Sequence, residues 1–406
     1  MSQSRLPGGN AIARTFTVVI LSAMTLMVST EVLAQQKAAV VGEVTSLENE
    51  YFSNWDRGAK SAADALGLNY RALTDGGDPT KQLQNYESQL RAGTKLFFGN
   101  AQNVGNIPAF VSKVRDAGGH YVGVWDSLPW YHPLDVPNGA YAGFFAPDDS
   151  ANAYTIAKLL FQKMGGKGNV VHLTGYPGSS PDVARNDGFD RALKESPGIK
   201  LVASQQGNWN QVDSRKVMED IIVAHPKIDG VFAQNDSEAI GAMQALDDAG
   251  IRIPIVGIDG NAETIKLIKD GRILATVSNL PEWQAGYAMV RAYDIAKGWK
   301  PSPTEAMMYT GVAVITAANV SAYQKVFNGG PLPFDWKKMS HVLHPNDWDP
   351  QNRVWPMDVV TVWERAKTPK PSGYQLSAAY QDALKNKDDQ KVRAQYEEHN
   401  KQKLSF

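Results

Sequence analysis

Two doubly wound α/β lobes with parallel sheets, joined by a multi-strand hinge and followed by a C-terminal extension, are the architecture this sequence predicts. Three observations lead there. First, Val231–Asp236 and Ile255–Gly260 are apolar runs of strand length, separated by Ala239, Ile240, Met243 and Leu246 at helical spacing and a stop at Gly250. Strand, helix, strand implies a parallel pair with a right-handed crossover. Second, the same alternation recurs from Ala38 to Ser278, about twice the length of one such unit. Third, the character changes after about Asn328, where prolines (Pro331, Pro333, Pro345, Pro350, Pro356, Pro369, Pro371) interleave with Trp336, Trp348, Trp355 and Trp363.

In chain order, Ala38 to Val44 reads as a buried strand. Phe52, Trp55, Ala59, Ala62 and Leu66 mark one face of a helix closed by Gly67. Strands at Lys95 to Phe98 and His120 to Trp125 flank a helix around Ile107 to Val114. Tyr141 to Phe145 leads into a helix with Ala153, Ile156, Leu160 and Met164 on one face. Further strands fall at Asn169 to Leu173, Ile199 to Ser204, Gly230 to Ala233, Ile255 to Ile258 and Leu274 to Ser278. The expected domains are residues 37–146 with 281–308, residues 147–280 with 309–327, and the extension 328–406, with hinge crossings near Ala146, Leu280 and Met308. Four tryptophans predict that the extension packs on the lobes, since exposing them would leave a large apolar patch. The charged stretch around Lys385, Lys387, Asp388, Asp389, Lys391 and Arg393 is expected to be a mobile, solvated helix, so truncation after Thr368 should be tolerated.

Residues 1–34 read as a cleaved secretory signal: Arg5 and Arg14 supply positive charge, Phe16 to Val28 is mostly apolar, and Val32-Leu33-Ala34 precedes Gln35. The apolar run is short for a membrane span. The chain has no cysteine, which excludes disulfides, thiolate metal sites, a cysteine nucleophile and a lipidated cysteine. A soluble periplasmic protein, not lipidated, is expected. The net charge is −1, and nothing in its distribution suggests nucleic acid or an anionic membrane as partner. The seven histidines show no metal-ligand spacing, and Asp347 to Asn352 lacks the glycine and distant glutamate of a calcium loop. No phosphate-loop or nucleophile-elbow string occurs. No metal and no cofactor are expected.

The polar residues at the strand ends carry the chemistry. Asn235 and Asp259 end strands where open α/β sheets bind ligands, and an amide with a carboxylate suits a neutral, hydroxyl-rich molecule. Asp236 is the expected cap of the following helix, which leaves Asn235 for the cleft. Other polar and aromatic residues fall at comparable places: Asn49-Glu-Tyr-Phe52, Trp125-Asp126-Ser127, Arg185-Asn-Asp-Gly-Phe189, Trp209 and Asn279-Leu-Pro281. From about Ala38 to Ala317 these motifs resemble, in order, the periplasmic sugar-binding proteins that serve ABC importers, nearest the ribose-binding type. Glu50 replaces a proline of that pattern, Ser127 an arginine and Asn279 a glutamine.

The resemblance implies a ligand set of Asn49, Tyr51, Phe52, Asp126, Ser127, Arg185, Trp209, Asn235, Asp259 and Asn279, with a sugar or polyol as ligand, an ABC permease as partner, a monomeric state and no catalysis. The residue chemistry agrees. Aromatic plates (Tyr51, Phe52, Trp209) cover C–H faces of a sugar, Asp126 and Asp259 accept from hydroxyls, Arg185 donates a planar fork, and the asparagines do both. Competing readings are a receptor feeding a chemosensor or sensor kinase, and an exported glycoside hydrolase using Asp126 and Asp259 as acid and base. Arg185 would hold both carboxylates ionised and so defeat the acid role. Trp130 and Tyr131 have no counterpart in the resemblance and either reshape one cleft wall or pack on the extension.

Overall fold

The computed structural model describes residues 37–327, 329–404 and 406; the signal sequence expected at residues 1–34 lies outside them. The chain begins with β1 (Ala39–Val44), α1 (Glu50–Leu66), β2 (Asn69–Thr74), α2 (Pro79–Arg91), β3 (Leu96–Gly99), α3 (Ile107–Asp116), β4 (His120–Val124) and β5 (Tyr141–Pro147). The second half repeats the alternation with α4 (Asp149–Lys163), β6 (Gly168–Thr174), α5 (Ser180–Lys194), β7 (Ile199–Gln206), α6 (Gln211–Ala224), β8 (Gly230–Ala233) and α7 (Asp236–Asp248). Then come β9 (Ile255–Asp259), α8 (Ala262–Lys269), β10 (Ala275–Ser278), α9 (Pro281–Ala296), β11 (Met307–Thr310), β12 (Ala313–Thr316) and α10 (Val320–Val326).

Two sheets result, as expected from the alternation. One has the order β11-β5-β4-β3-β1-β2 before the extension adds to it; the other is β12-β10-β9-β8-β6-β7, with β12 the antiparallel edge. Among the described residues, the chain passes between sheets after Pro147, at Asn279–Leu280 and between Thr310 and Ala313. The third passage falls two residues beyond Met308, because Tyr309 and Thr310 still pair with Ala146 and Pro147. The edge strand β2 has no counterpart in the sequence reading. Asn69-Tyr-Arg-Ala-Leu-Thr has no fully buried residue, so it lacks the apolar run that marks the central strands.

Helices sit where their apolar stripes dictate. Trp55, Ala59 and Ala62 of α1 are fully buried, with Trp55 stacked on Phe98 at 4.8 Å. Gly58 lets α1 approach α9: a Cβ there would lie 1.9 Å from the Glu282 carbonyl oxygen. Buried Glu43 on β1 accepts from Asn85 Nδ2 at 2.7 Å, while its Oε2 lacks a partner among the described residues. Burial, with help from Asp75 and against Asn85 and Lys81, pushes its carboxyl up to about 8. A carboxyl raised in the folded state contributes stability that is full below its unfolded value near 4.5 and lost as pH rises through about 8. Glu43→Gln is therefore expected to lose less melting temperature than the wild type between pH 5 and pH 8.5. Scanning calorimetry at the two pH values checks this, and parallel losses would refute it.

The extension is part of the body. β13 (Val354–Pro356) pairs antiparallel with β11 (Met308 opposite Pro356) and completes a seven-stranded sheet. Trp336, Trp348 and Trp363 are buried, in line with the expectation that these rings pack, and Trp355 lies half-buried on Tyr309. Trp336 covers Gly286 of α9 and donates to Ser61 Oγ at 2.8 Å. After α11 (Val359–Arg365), the expected mobile helix is instead two packed ones. Those are α12 (Ala378–Lys385), burying Tyr380 and Ala383, and α13 (Asp388–His399), burying Val392 and Tyr396. Only two positions per helix are buried, too few to read as a stripe; Tyr380 joins the core around Met357 and Trp363, whereas Val392 and Tyr396 join the one around Trp348. Arg291 of α9, 2 % exposed, donates to Tyr396 Oη (3.1 Å) and lies 3.9 Å from the Trp299 ring centroid; Tyr396 in turn donates to Glu305 at 2.9 Å.

Candidate functional site

The site is built from loops that leave the carboxyl ends of parallel strands in both sheets, where the backbone changes direction and frees side chains. Asn49 is exposed and caps α1, its Oδ1 accepting from Tyr51 N at 2.9 Å. That cap fixes the entry of α1, so that buried Tyr51 and half-buried Phe52 face Trp125 with ring centroids at 5.1 and 6.2 Å. Tyr51 Oη donates to Gln284 Oε1 at 3.4 Å. Trp125 thus belongs to the aromatic wall, whereas Trp130 packs on the extension, against Trp363 (5.4 Å) and donating to the Thr368 carbonyl at 2.8 Å. Tyr131 stacks on Tyr141 at 5.7 Å.

From the other sheet, Arg185 on α5 is 4 % exposed. Its Nε donates to Asp149 Oδ1 at 3.0 Å and its Nη1 to the Gln234 carbonyl at 2.6 Å, with the guanidinium 5.3 Å from the Trp209 ring. Trp209 packs over Gly175, where a Cβ would fall 1.8 Å from the indole. Asn235 is itself the helix cap. Its Oδ1 accepts from Glu238 N at 2.8 Å, and Glu238 returns to Asn235 N at 3.2 Å and to Trp209 N at 3.1 Å. Asp236, the expected cap, instead accepts from Gly260 N (2.9 Å), Asn261 N (2.8 Å) and Thr276 Oγ1 (2.7 Å), and so shapes the turn that carries Asp259. The reason is reach: a cap must lie outside the first helical turn, and Asp236 is already the first helical residue.

The two halves touch across this site. Asp126 Oδ1 accepts from Ser180 N at 3.1 Å, Ser127 N donates to Ser180 Oγ at 3.3 Å, and Glu50 Oε1 accepts from Ala262 N at 2.7 Å. Burial raises Asp126 to about 6 against the Ser180 hydrogen bonds, and raises Glu238 to about 7. Asp259 is held well above the carboxylate range by burial and by the neighbouring Asp236 charge, with Arg185 opposing. Among the described residues its carboxylate has no hydrogen-bond partner. It faces a cavity of about 400 Å³ lined also by Glu50, Asn54, Arg57, Asn261 and Tyr323. Asn279, 1 % exposed, keeps Oδ1 without a partner among the described residues.

Backbone strain gathers here too. Trp125 (φ 59°), Trp209 (φ 55°), Asp259 (φ 145°) and Leu280 (φ 51°) all take positive φ without being glycine, a cost of order 1–3 kcal/mol each that persists only where the surroundings over-determine it. Asp149, Gln234 and Glu238 are site residues the sequence reading did not name. Glu238 was legible, because Asn235-x-x-Glu238 is a capping-box spacing. Asp149 was not, since Asp148-Asp149 reads only as a helix start.

Two α/β halves with strand ends facing across a cleft, aromatic plates and open acceptors form a solute-binding architecture. Residues 43–300 match the periplasmic binding protein domain. The chain belongs to that family. It is 29 % identical over 287 residues to a ribose import binding protein of Escherichia coli (strain K12), covering 70 % of this chain and 93 % of that one. To a xylitol-binding protein of Mycolicibacterium smegmatis it is 36 % identical over 178 residues, 43 % of this chain and 50 % of the relative. A solved ABC transporter periplasmic solute binding protein from Actinobacillus succinogenes 130z with bound D-allose superposes with a TM-score of 0.65 at 26 % identity, over 71 % of this chain and 100 % of that one.

Proposed function

We propose that this chain is an exported receptor that closes its two lobes around a sugar or polyol and delivers it to an ABC permease. The observation that carries the reading is Asp259: a half-buried carboxylate with raised pKa that has no hydrogen-bond partner among the described residues, at a strained strand end, across from an aromatic wall. Hydroxyl donors supply what it lacks. Its neighbours Asp149 and Asp236 are satisfied internally, Asp149 by Arg185 and Asp236 by backbone amides, so these two do not call for a cationic ligand.

In this reading Tyr51, Phe52 and Trp209 cover the ligand's C–H faces. Asp126 and Asp259 accept from its hydroxyls, Arg185 donates, and Asn49, Ser127, Asn235 and Asn279 do both. Residues 37–147 with 281–310 form one lobe, and 148–280 with 313–327 the other. The protein works as a non-lipidated monomer in the periplasm and binds without catalysis. The contacts between halves at Asp126–Ser180 and Glu50–Ala262 belong to the closed state, which a ligand touching both lobes favours by its differential affinity. A thermal-shift screen over sugars and polyols tests the reading. A ligand at a hundred times its Kd stabilises by about 2.7 kcal/mol, and small-angle scattering should then show a smaller radius of gyration. A chain that no sugar or polyol stabilises would end the proposal.

A further inference from the structure

We propose that Gln284, in the first turn of α9, is a further ligand contact whose side-chain amide donates to an oxygen of the bound sugar or polyol. This rests on the sugar-receptor reading above, and it adds a donor beside the open acceptors Asp259 and Asn279. The chain crosses between the sheets at Asn279–Leu280, and Leu280 takes a left-handed backbone (φ 51°) before α9 begins at Pro281. That junction sets the first turn of α9 at the cleft end of the helix, where Gln284 N donates to the Leu280 carbonyl at 3.0 Å. Trp283 turns into the body, donating to the Pro350 carbonyl at 2.8 Å and stacking on Tyr287 at 4.6 Å. Adjacent helical residues do not share a face, so Gln284 leaves that side of the helix.

Gln284 is 1 % exposed. Its Oε1 accepts from Tyr51 Oη at 3.4 Å, while its Nε2 has no partner among the described residues. A planar amide carries both atoms on one carbon, so the open Nε2 lies beside the Tyr51 hydroxyl. That hydroxyl borders the ligand chamber. The Tyr51 ring packs on Trp125 at 5.1 Å. Burial first, and then the Asp259 charge, raise its hydroxyl well above the ordinary tyrosine range, with Arg185 opposing. Asp259 and Arg185 belong to the opposite half, so the Tyr51–Gln284 pair stands across the chamber from them. A buried donor without an acceptor destabilises a protein, and native interiors pair nearly all such groups. A ligand hydroxyl that donates to Asp259 or Asn279 keeps lone pairs with which to accept from Gln284, and hydrogen bonds chained in this way strengthen one another. Gln284 thus selects a hydroxyl or ring oxygen over a methylene or an ammonium group at one position of the ligand, because either substitute leaves Nε2 unpaired.

A double-mutant cycle of Gln284→Met and Tyr51→Phe tests this by titration calorimetry on the full chain. The probe is whichever of D-ribose, D-allose and xylitol the wild type binds most tightly. Methionine keeps the length of the side chain without a donor, and Tyr51→Phe keeps the ring but removes the hydroxyl that occupies Oε1. Gln284→Met is expected to weaken binding at least tenfold both alone and in the Tyr51→Phe background. A loss that falls below twofold once Tyr51 is phenylalanine would make Gln284 a positioning residue for Tyr51, and a loss below twofold in both backgrounds would remove it from the ligand shell. Either result overturns the inference and leaves the receptor reading intact. Should Gln284→Met not fold, Gln284→Asn, which holds the amide one methylene further back, is read in the same cycle. A wild type that binds none of the three is titrated with the sugar or polyol that stabilises it in the thermal-shift screen, and one that binds none at all removes both readings.

Discussion

A chain ending at Thr368 is expected to melt about 10 °C below the full-length protein or to fail to accumulate folded. The deletion removes Tyr380 and Tyr396, which are 3 % and 1 % exposed, and truncating a buried large aromatic costs about 3–5 kcal/mol. It also strips Arg291 and Glu305 of the Tyr396 hydroxyl that links them, leaving a buried guanidinium short of a partner. At roughly 2 °C per kcal/mol for a chain of this size, a loss of at least about 6 kcal/mol gives that shift. Tyr396→Phe isolates the polar share: it keeps the ring against Trp348 at 4.6 Å and deletes only the hydroxyl, for about 1–3 kcal/mol. Thermal unfolding of both variants checks the claim. A truncated chain melting within about 2 °C of full length would make the last two helices an appendage, as the charge pattern alone suggested.

Asp259→Asn should push binding and stability in opposite directions. It exchanges a charge-assisted acceptor for a neutral one, so affinity for the bound sugar should fall by about 2 kcal/mol, roughly thirtyfold. Asparagine tolerates positive φ, so the strained backbone survives and the loss reports chemistry rather than collapse. Meanwhile burial and Asp236 raise the Asp259 carboxyl in the folded protein, so its contribution to stability is full only below the unfolded pKa near 3.8 and is lost as pH rises through the folded value. At neutral pH the unliganded variant should therefore melt higher than the wild type. Calorimetric titration with paired melting curves measures both; unchanged affinity would remove Asp259 from the ligand shell.

Much of the site was legible because its residues sit at positions defined by local pattern. Asn235 and Asp259 end apolar runs, and the strands they end were found where the structure has them. Asn235 was misassigned in one respect: the competition between neighbouring cap candidates turns on which residue is already helical, a matter of one residue. Asp149 escaped notice because its meaning depends on Arg185, which is 36 residues away on another helix. Ser180 likewise matters only through its contact with Asp126 across the cleft.

By itself the sequence determined the alternating architecture, the two sheets and the strand ends that carry polar side chains. Periodicity and strand termination are properties of neighbouring residues, and burial on both faces of a parallel sheet writes them plainly into the chain. Only the tertiary structure decided the fate of the last two helices, the place of edge strand β2 and the pairing of each buried charge. Tyr380 and Tyr396 look solvated among lysines and aspartates until Met357, Glu305 and Arg291 are brought beside them. A few matched residues then suffice to dock a helix whose own pattern shows no face, because the partner surface supplies the apolar contact and the hydrogen bonds that the local sequence lacks.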